Sequence, residues 1–187
     1  MNKADLAKKP EAVAAMFDSV AESYDRTNDL LSFGQDRFWR RRVLSEINPQ
    51  PGQTVLDLAA GTGSSSIVFL KPGVRVIASD FSNGMLEVGK RRHPELEFVF
   101  ADATTLPFPD ESVDAVTISF GLRHVENPTI ALKPMQRVLK PARKVVISEF
   151  TLLTVPVIKN LSGFYFQRVF PSLTRLLAHT SAASPYL

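Results

Sequence analysis

The stretch Val55-Leu56-Asp57-Leu58-Ala59-Ala60-Gly61-Thr62-Gly63 decides the fold. A short apolar run, typical of a buried strand, leads into a glycine-rich turn that opens a helical segment. Glycines in such a turn let the backbone approach a ligand closely. The third glycine of the dinucleotide-binding fingerprint is missing, because Ser66 stands in its place. With Asp57 ahead of the turn, we expect a cationic or hydrogen-bond-donating ligand group rather than a pyrophosphate.

Alternating apolar runs and helical patterns extend on both sides of this turn. Nearly continuous apolar runs suit strands that are covered on both faces, as in a parallel sheet. Strands that alternate with helices favour a doubly wound α/β sheet. The predicted strands are Thr54–Ala59, Arg75–Ser79, Glu97–Ala101, Asp114–Ser119 and Lys144–Phe150, and the predicted helices between them are Ser66–Leu70, Ser82–Arg92 and Thr129–Leu139.

The regions before and after this alternation have a different character. Helices are predicted at Ala12–Val20 and Asp36–Ile47, joined by a polar and aromatic loop from Tyr24 to Gly34. The segment after Phe150 is apolar and helix-like, and Pro171 splits it. We therefore predict an N-terminal helical lid at residues 1–48, a cofactor-binding core at 49–150 and a helical substrate-side segment at 151–187.

Composition excludes several classes of protein. The chain has 187 residues, enough for one domain, and it has no cysteine, which excludes disulfides and thiolate metal sites. Its three histidines show no metal-ligand spacing, so no metal site is predicted. The net charge of +3 is too small to indicate nucleic-acid binding. The sequence also lacks an 18-residue apolar run and a signal-peptide pattern, which predicts a cytoplasmic protein.

Two local clusters of basic residues carry much of the positive charge, Arg37–Arg42 and Lys90–Arg92. Such runs are most often solvated helix faces. They are also suited to contact with an anionic membrane surface or substrate. Both interpretations stay open from the sequence.

Polar residues stand at the carboxyl ends of successive predicted strands. Asp80 ends the second strand, Asp102-Ala103 follows the third and Ser119 ends the fourth. Ligands of open α/β sheets bind in the crevice at these strand ends, where an acidic residue after the second strand can accept both ribose hydroxyls. An isolated Asp is often only a cap or turn residue, but the repeated placement predicts one site for a nucleoside-like ligand.

These residues also carry a family resemblance over about residues 10–187. The sequence resembles class I S-adenosylmethionine-dependent methyltransferases and, more narrowly, the quinone-biosynthesis C-methyltransferases that act on demethylmenaquinone and 2-polyprenyl-6-methoxybenzoquinol. The supporting stretches are Tyr24-Asp25…Asn28-Asp29-Leu30-Leu31-Ser32…Arg37…Trp39-Arg40, Leu58–Gly63, Leu106-Pro107-Phe108, Thr117–Arg123 and Arg137–Pro141 with Glu149-Phe150.

The resemblance implies a Rossmann-like core, S-adenosylmethionine as the cofactor and a polyprenylated quinol as the substrate. Positions that match the family's cofactor site are Asp57, Gly61, Thr62, Gly63, Asp80, Asp102, Ala103 and Ser119. Arg123 is the expected stabiliser of a phenolate, with a structural ion pair as the alternative, and His124 is a candidate base where the family usually has Asn. Tyr24, Asp25 and Asn28 are expected to bind the substrate within the lid, or else to form a packed loop.

Several departures from the family pattern bear on these expectations. The family usually has two glycines where this chain has Ala142-Arg143, so a left-handed backbone there would be strained. Asp36 and Thr27 replace the family's usual His and Met, which leaves those two positions without an assigned role. A class I sheet also has a sixth strand and an antiparallel seventh, and only five strand candidates are present. We therefore expect the last two strands to be missing.

The predicted reaction is C-methylation of demethylmenaquinol to menaquinol, the final step of menaquinone biosynthesis, in the cytoplasm or peripherally at the inner face of the plasma membrane. Asp102-Ala103 and the lack of a transit peptide favour it over methylation of a ubiquinone precursor. The alternatives are a truncated, non-catalytic form of such an enzyme and, in another class, an NAD(P) oxidoreductase, which the missing glycine disfavours.

Overall fold

The computed structural model describes residues 10–32 and 34–149. Three helices come first, followed by strands that are separated by helices, except that the third strand leads directly to the fourth. The helices are α1 (Pro10–Val20), α2 (Tyr24–Leu31), α3 (Gln35–Ile47), α4 (Asn83–Arg92) and α5 (Pro128–Val138). The strands are β1 (Thr54–Leu58), β2 (Arg75–Asp80), β3 (Glu97–Phe100), β4 (Val113–Ser119) and β5 (Leu139–Ser148), and short 3-10 helices span Ser66–Phe69 and Leu122–His124.

The five strands form one sheet in the order β3-β2-β1-β4-β5, with every neighbouring pair parallel. Leu56 of the central strand β1 lies opposite Ile77 of β2 on one side and Val116 of β4 on the other. The carboxyl ends of all five strands therefore meet at one edge. The order reverses between β1 and β4, which is where sheets of this type form a ligand crevice.

Helices cover both faces of the sheet. Leu56 and Leu58 pack with Met135 of α5 in one buried cluster. Val55, which points to the opposite face, packs with Val43 of α3 in another. A smaller cluster joins α1 to α4, where Met85 and Val88 are buried. The doubly wound α/β prediction is confirmed, and covering of both faces explains why the strand sequences are nearly continuously apolar.

Three predicted elements differ from the structure. The segment predicted as a loop from Tyr24 forms helix α2, a short and mostly polar helix that tertiary contacts hold in place. The helix predicted at Ser66–Leu70 is a single 3-10 turn, Ser66–Phe69. Strand β5 begins at Leu139 rather than Lys144, because its ladder with β4 is interrupted by an irregularity that accommodates residues 140–143.

The irregularity in β5 contains a residue of unusual backbone geometry. Ala142 has a φ of 59°, in the left-handed region. Ala142 therefore meets the condition under which replacing the family's usual glycine strains the backbone.

The expectations for residues 151–187, including the closing strands of the sheet, lie outside the described residues, and the predicted domain boundaries stay predictions. Among residues 10–32 and 34–149, no helix is long and apolar enough to cross a membrane.

Candidate functional site

A cavity of about 560 Å³ lies at the carboxyl edge of the sheet, between the strand ends and helices α1 to α3. This is the size range of small-molecule sites. Eleven of the thirteen predicted site residues line it: Tyr24, Asp25, Asn28, Gly61, Thr62, Asp80, Asp102, Ala103, Ser119, Arg123 and His124. The remaining two, Asp57 and Gly63, do not line it.

The glycine turn after β1 is built from left-handed residues. Gly61 has a φ of 58° and Gly63 a φ of 86°. Gly61 lines the cavity and donates its backbone N–H to Asp80 Oδ2 over 2.7 Å. A Cβ at Gly63 would lie 2.8 Å from the Phe98 ring, so this glycine lets the turn pack against β3. Gly63 thus shapes the turn rather than facing a ligand.

Asp57 supports the turn from behind. Its side chain is fully buried, and Oδ2 accepts hydrogen bonds of 2.7 Å from both Ser65 Oγ and Ser66 Oγ. Burial raises the pKa of Asp57 to about 6, against the lowering effect of these two hydrogen bonds. Its Oδ1 is buried and accepts no hydrogen bond from the described part of the chain. The carboxyl therefore titrates near neutral pH.

Asp80 lies at the end of β2, where backbone N–H groups occupy part of the acceptor capacity of its carboxylate. Oδ1 accepts the Ser82 N–H over 2.8 Å and Oδ2 accepts the Gly61 N–H. Burial raises the pKa of Asp80, and the backbone N–H groups of Ser82, Gly61 and Phe81 oppose that shift. A carboxylate has about four acceptor positions, so these N–H groups leave capacity on Asp80 to accept a ribose hydroxyl.

Asp102 presents a second acceptor to the cavity. Its Oδ1 accepts both the backbone N–H and the hydroxyl of Thr104, at 2.7 and 2.8 Å. No hydrogen bond from residues 10–32 or 34–149 reaches its Oδ2. The Oδ2 atom can therefore accept from an exocyclic amino group, with Ala103 beside it in the cavity wall.

Arg123 is held in place by the residues around it. Its Nε donates to His124 Nε2 over 3.2 Å, and its Nη1 lies 3.4 Å from Glu149 Oε2. The guanidinium carbon lies 6.0 Å from the centroid of the Phe120 ring. His124 Nε2 is the acceptor of this hydrogen bond, which orients the guanidinium. Arg123 brings a fixed positive charge into the cavity.

Tyr24 and Asn28 lie one helical turn apart at the start of α2. Burial raises the pKa of Tyr24, and a side-chain hydrogen bond with Asn28 and the charge of Arg123 oppose this rise. The Tyr24 hydroxyl therefore stays protonated near neutral pH. The Phe17 ring of α1 makes edge-on contacts with two cavity residues. Its centroid lies 5.9 Å from that of Tyr24 and 5.3 Å from that of His124.

Asp25 lines the cavity, but it is engaged with the protein. Its carboxylate accepts hydrogen bonds from Thr62 Oγ1 and Ser64 Oγ, each at 2.8 Å, and from Arg92 Nη1 at 2.6 Å. Arg91 and Arg92 both pair with Glu22 as well. Arg91 and Arg92, at the end of α4, thus hold the N-terminal segment to the core. This role differs from both the solvated helix face and the anionic contact that the sequence suggested for Lys90–Arg92.

One wall of the cavity was missed in the sequence. Gln35, Asp36, Trp39, Arg40 and Val43 of α3 all line the cavity. Arg40 and Asp36 form a largely buried ion pair of 2.7 Å. The spacing i, i+4, i+8 from Gln35 to Val43 is the signal that could have found this face.

The charges in the cavity fit the predicted cofactor. The lining contains five acidic residues, Asp25, Asp36, Asp80, Asp102 and Glu126, against two arginines, Arg40 and Arg123. The buried Oδ1 of Asp57 adds an acceptor behind the turn. An excess of carboxylates suits a cationic ligand, such as a sulfonium with an ammonium group, and opposes an anionic pyrophosphate.

Comparisons with known proteins agree with this geometry. Residues 4–187 match the model of the ubiE/COQ5 methyltransferase family. A demethylmenaquinone methyltransferase of Clavibacter sepedonicus is 50% identical over 190 residues, covering 100% of this chain and 78% of that protein. A demethylmenaquinone methyltransferase of Paenarthrobacter aurescens is 51% identical over 187 residues, covering 100% of this chain and 74% of that protein.

Solved structures share the fold at low sequence identity. A SAM-dependent methyltransferase from Aquifex aeolicus has a TM-score of 0.60 at 23% identity, over 73% of this chain and 74% of that one. The [4+2]-cyclase SpnF has a TM-score of 0.65 at 21% identity, over 75% of this chain and 60% of that one. These likenesses confirm the fold class alone.

The predicted family and cofactor are confirmed, and the oxidoreductase alternative is not supported. The cavity, its carboxylates and the match over residues 4–187 agree. The chain belongs to the ubiE/COQ5 methyltransferase family, whose cofactor is S-adenosylmethionine.

Proposed function

We propose that this chain methylates a ring carbon of demethylmenaquinol to give menaquinol. The observation that carries the proposal is that one cavity contains both the nucleoside-type acceptors Asp80 and Asp102 and the charged group Arg123. The relatives that are about half identical over the whole chain are named demethylmenaquinone methyltransferases. Their substrate class is a quinol.

The cofactor is proposed to bind along the strand ends. Asp80 accepts the ribose hydroxyls, Asp102 and Ala103 hold the adenine, and Gly61, Thr62 and Ser119 complete the wall. Asp57 and Gly63 act indirectly, since they shape the turn without lining the cavity. When bound, S-adenosylmethionine supplies an electrophilic methyl group on a positively charged sulfur.

The proposed role of Arg123 is to make the quinol a better nucleophile. A ring carbon attacks more readily when a neighbouring hydroxyl is deprotonated, and a fixed guanidinium stabilises the phenolate. Because its guanidinium stays protonated at neutral pH, Arg123 cannot itself accept the proton. We place His124 beside it as the group that orients the guanidinium through the Nε–Nε2 hydrogen bond.

Tyr24 and Asn28 are proposed to orient the quinol ring. A tyrosine with a raised pKa keeps its proton and can donate to a quinol oxygen. Asn28 fixes that hydroxyl from the next turn of α2. Fixing the ring in this way places the reacting carbon, which is a large part of what such an enzyme must do.

The direct test is a methyl-transfer assay on the full chain with S-adenosylmethionine and a short-tailed demethylmenaquinol. We expect a product heavier by one methyl group, with much lower turnover of a 2-polyprenyl-6-methoxybenzoquinol. Faster turnover of the benzoquinol would instead assign a ubiquinone precursor. Asp80→Ala should weaken binding of S-adenosylhomocysteine by about 100-fold, since it removes charged acceptors of two hydroxyls.

The outer face of α3 is proposed to contact an anionic membrane, placing the enzyme peripherally at the inner face of the plasma membrane. Phe38 is 68% exposed and is flanked on this face by Arg37, Arg41 and Arg42, which are exposed as well. An apolar ring among arginines suits the boundary between headgroups and acyl chains. Arg37 and Arg42 also pair with Asp29 and Glu46, so Arg41 and Phe38 are the sharper targets.

Vesicle co-sedimentation tests this contact. Anionic vesicles should retain the protein at low salt and release it at high salt, whereas neutral vesicles should not retain it. Arg41→Glu and Phe38→Ser should each weaken retention. The proposal would be wrong if retention on anionic vesicles were insensitive to salt and unchanged in both variants.

A further inference from the structure

One carboxylate, that of Asp25, joins three separate parts of the structure. Oδ1 accepts from Thr62 Oγ1 and Ser64 Oγ, both at 2.8 Å. Oδ2 accepts from Arg92 Nη1 at 2.6 Å and also lies 2.8 Å from Thr62 Oγ1. Helix α2, the turn after β1 and the end of α4 therefore meet at this one side chain.

These contacts decide what the turn offers to a ligand. The Thr62 and Ser64 hydroxyls donate to Asp25, and the Ser65 and Ser66 hydroxyls donate to Asp57. A hydroxyl has one hydrogen to donate and two lone pairs to accept with. With their hydrogens committed to carboxylates, the hydroxyls that line the cavity present lone pairs, which suit the ammonium end of a cofactor.

We propose that Asp25 is a positioning residue for the cofactor rather than a ligand of the quinol. It fixes the Thr62 and Ser64 hydroxyls as acceptors and holds the turn in its binding conformation. Because the same carboxylate belongs to α2, it also couples cofactor binding to the seating of the N-terminal segment. The inference rests on the proposed binding of S-adenosylmethionine in this cavity.

A simpler role for Asp25 is to fasten the N-terminal segment to the core. Two other acidic residues perform that task without touching the turn. Asp18 Oδ1 accepts from Ser82 Oγ at 2.5 Å and from the Gly84 N–H at 2.8 Å. Glu22 pairs with Arg91 and with Arg92. Glu22→Gln is therefore the matched control, because it removes a fastening charge and leaves the Thr62 and Ser64 contacts in place.

The test is calorimetric titration of the full chain with S-adenosylhomocysteine, with no quinol present. Asp25→Ala should weaken binding about 10-fold, as expected for the loss of hydrogen bonds to a charged group. Asp25→Asn should be intermediate, because the amide oxygen still accepts from the hydroxyls but loses the charge opposite Arg92. Glu22→Gln should stay within about 2-fold of the wild type.

A second variant keeps the test independent of folding. Thr62→Val removes only the hydroxyl, and combining it with Asp25→Asn should weaken binding by less than the product of the two single effects. With the quinol saturating and S-adenosylmethionine varied, Asp25→Asn should raise the KM for the cofactor more than it lowers kcat. A residue that binds the quinol would instead raise the KM for the quinol, measured at saturating S-adenosylmethionine.

The outcomes separate this inference from the proposed function. Wild-type affinity in Asp25→Ala, or an equal loss in Glu22→Gln, overturns the role of Asp25 while the cofactor assignment stands. A wild-type chain that binds no S-adenosylhomocysteine overturns both.

Discussion

The Cβ atom of Ala59 fills the space that any side chain at position 121 would need. A Cβ built on Gly121 would lie 2.2 Å from it, far inside van der Waals contact. Ala59 belongs to the turn after β1, and Gly121 precedes Arg123 in the loop after β4. The glycine turn after β1 and the loop that carries Arg123 are therefore in direct contact.

Gly121→Ala should lower the free energy of unfolding by about 2 kcal/mol, the usual cost of overpacking. Gly121 has a φ of −99°, which any residue adopts, so the loss arises from the collision alone. Ala59→Gly should recover most of this loss in the double variant, beyond the gain that Ala59→Gly gives alone by relieving its own left-handed φ of 51°. Urea denaturation of both single variants and the double variant measures the difference. If the double variant is no more stable than Gly121→Ala, the contact does not explain the glycine.

Ala142→Gly should raise the free energy of unfolding by about 1 kcal/mol, since glycine adopts the left-handed φ of 59° without a Cβ penalty. Ala15→Gly is the matched control, because Ala15 lies exposed in α1. It should lower stability by a similar amount. Destabilisation by both variants would indicate that position 142 carries no strain.

Asp57 should make the protein less stable as the pH rises from about 4 to 7. Its pKa is raised in the folded state from 3.8 to about 6, so the folded protein binds the proton more tightly than the unfolded chain. The associated stability is complete below the unfolded pKa and is lost as the pH passes about 6, a change of roughly 3 kcal/mol. Comparing Asp57→Asn with the wild type across this range isolates the effect.

Asp114 supplies a comparison of opposite sign. Burial raises its pKa, but the Lys140 hydrogen bond, the Thr54 N–H and the charges of Lys140 and Arg143 outweigh burial and lower it. Asp114 therefore stabilises the fold at pH values above the ordinary pKa of an Asp side chain. This stabilisation is lost as the pH falls through the lowered pKa of the folded state. Asp114→Asn should cost most stability near neutral pH. Parallel pH profiles for the two variants would contradict the opposite signs of the two pKa shifts.

Arg123→Gln should lower kcat about 100-fold, the scale of removing one electrostatic stabiliser from an active site. Binding of S-adenosylhomocysteine should stay within about 2-fold, because Arg123 is proposed to act on the quinol. His124→Asn should keep kcat within a few-fold, since an amide oxygen can still accept from Arg123 Nε. A large loss in His124→Asn, with disappearance of the acidic limb of the pH–kcat profile, would make His124 the base instead.

The strands and the acidic residues at their ends were predictable, because they depend on the local hydrophobic pattern and on spacing along the chain. Apolar runs predicted β1, β2 and β4, and the placement of Asp80 and Asp102 at strand ends predicted their convergence. Helix α2 was not predicted in this way, since it is short and mostly polar and is held by contacts between positions distant in sequence, such as Asp25 with Thr62 and Arg92. For the same reason the sequence could not show that Asp57 lies behind the turn.

Helix α3 separates the cavity from the protein surface, because Trp39 lines the cavity while Phe38 is exposed on the outer side. A helix with its side chains is about 10 Å thick. If the outer face rests on lipid as proposed, only that thickness separates the membrane from the reaction chamber. A quinol could then present its ring to Arg123 while its tail remained in the bilayer, so that the enzyme would reach the substrate without extracting it.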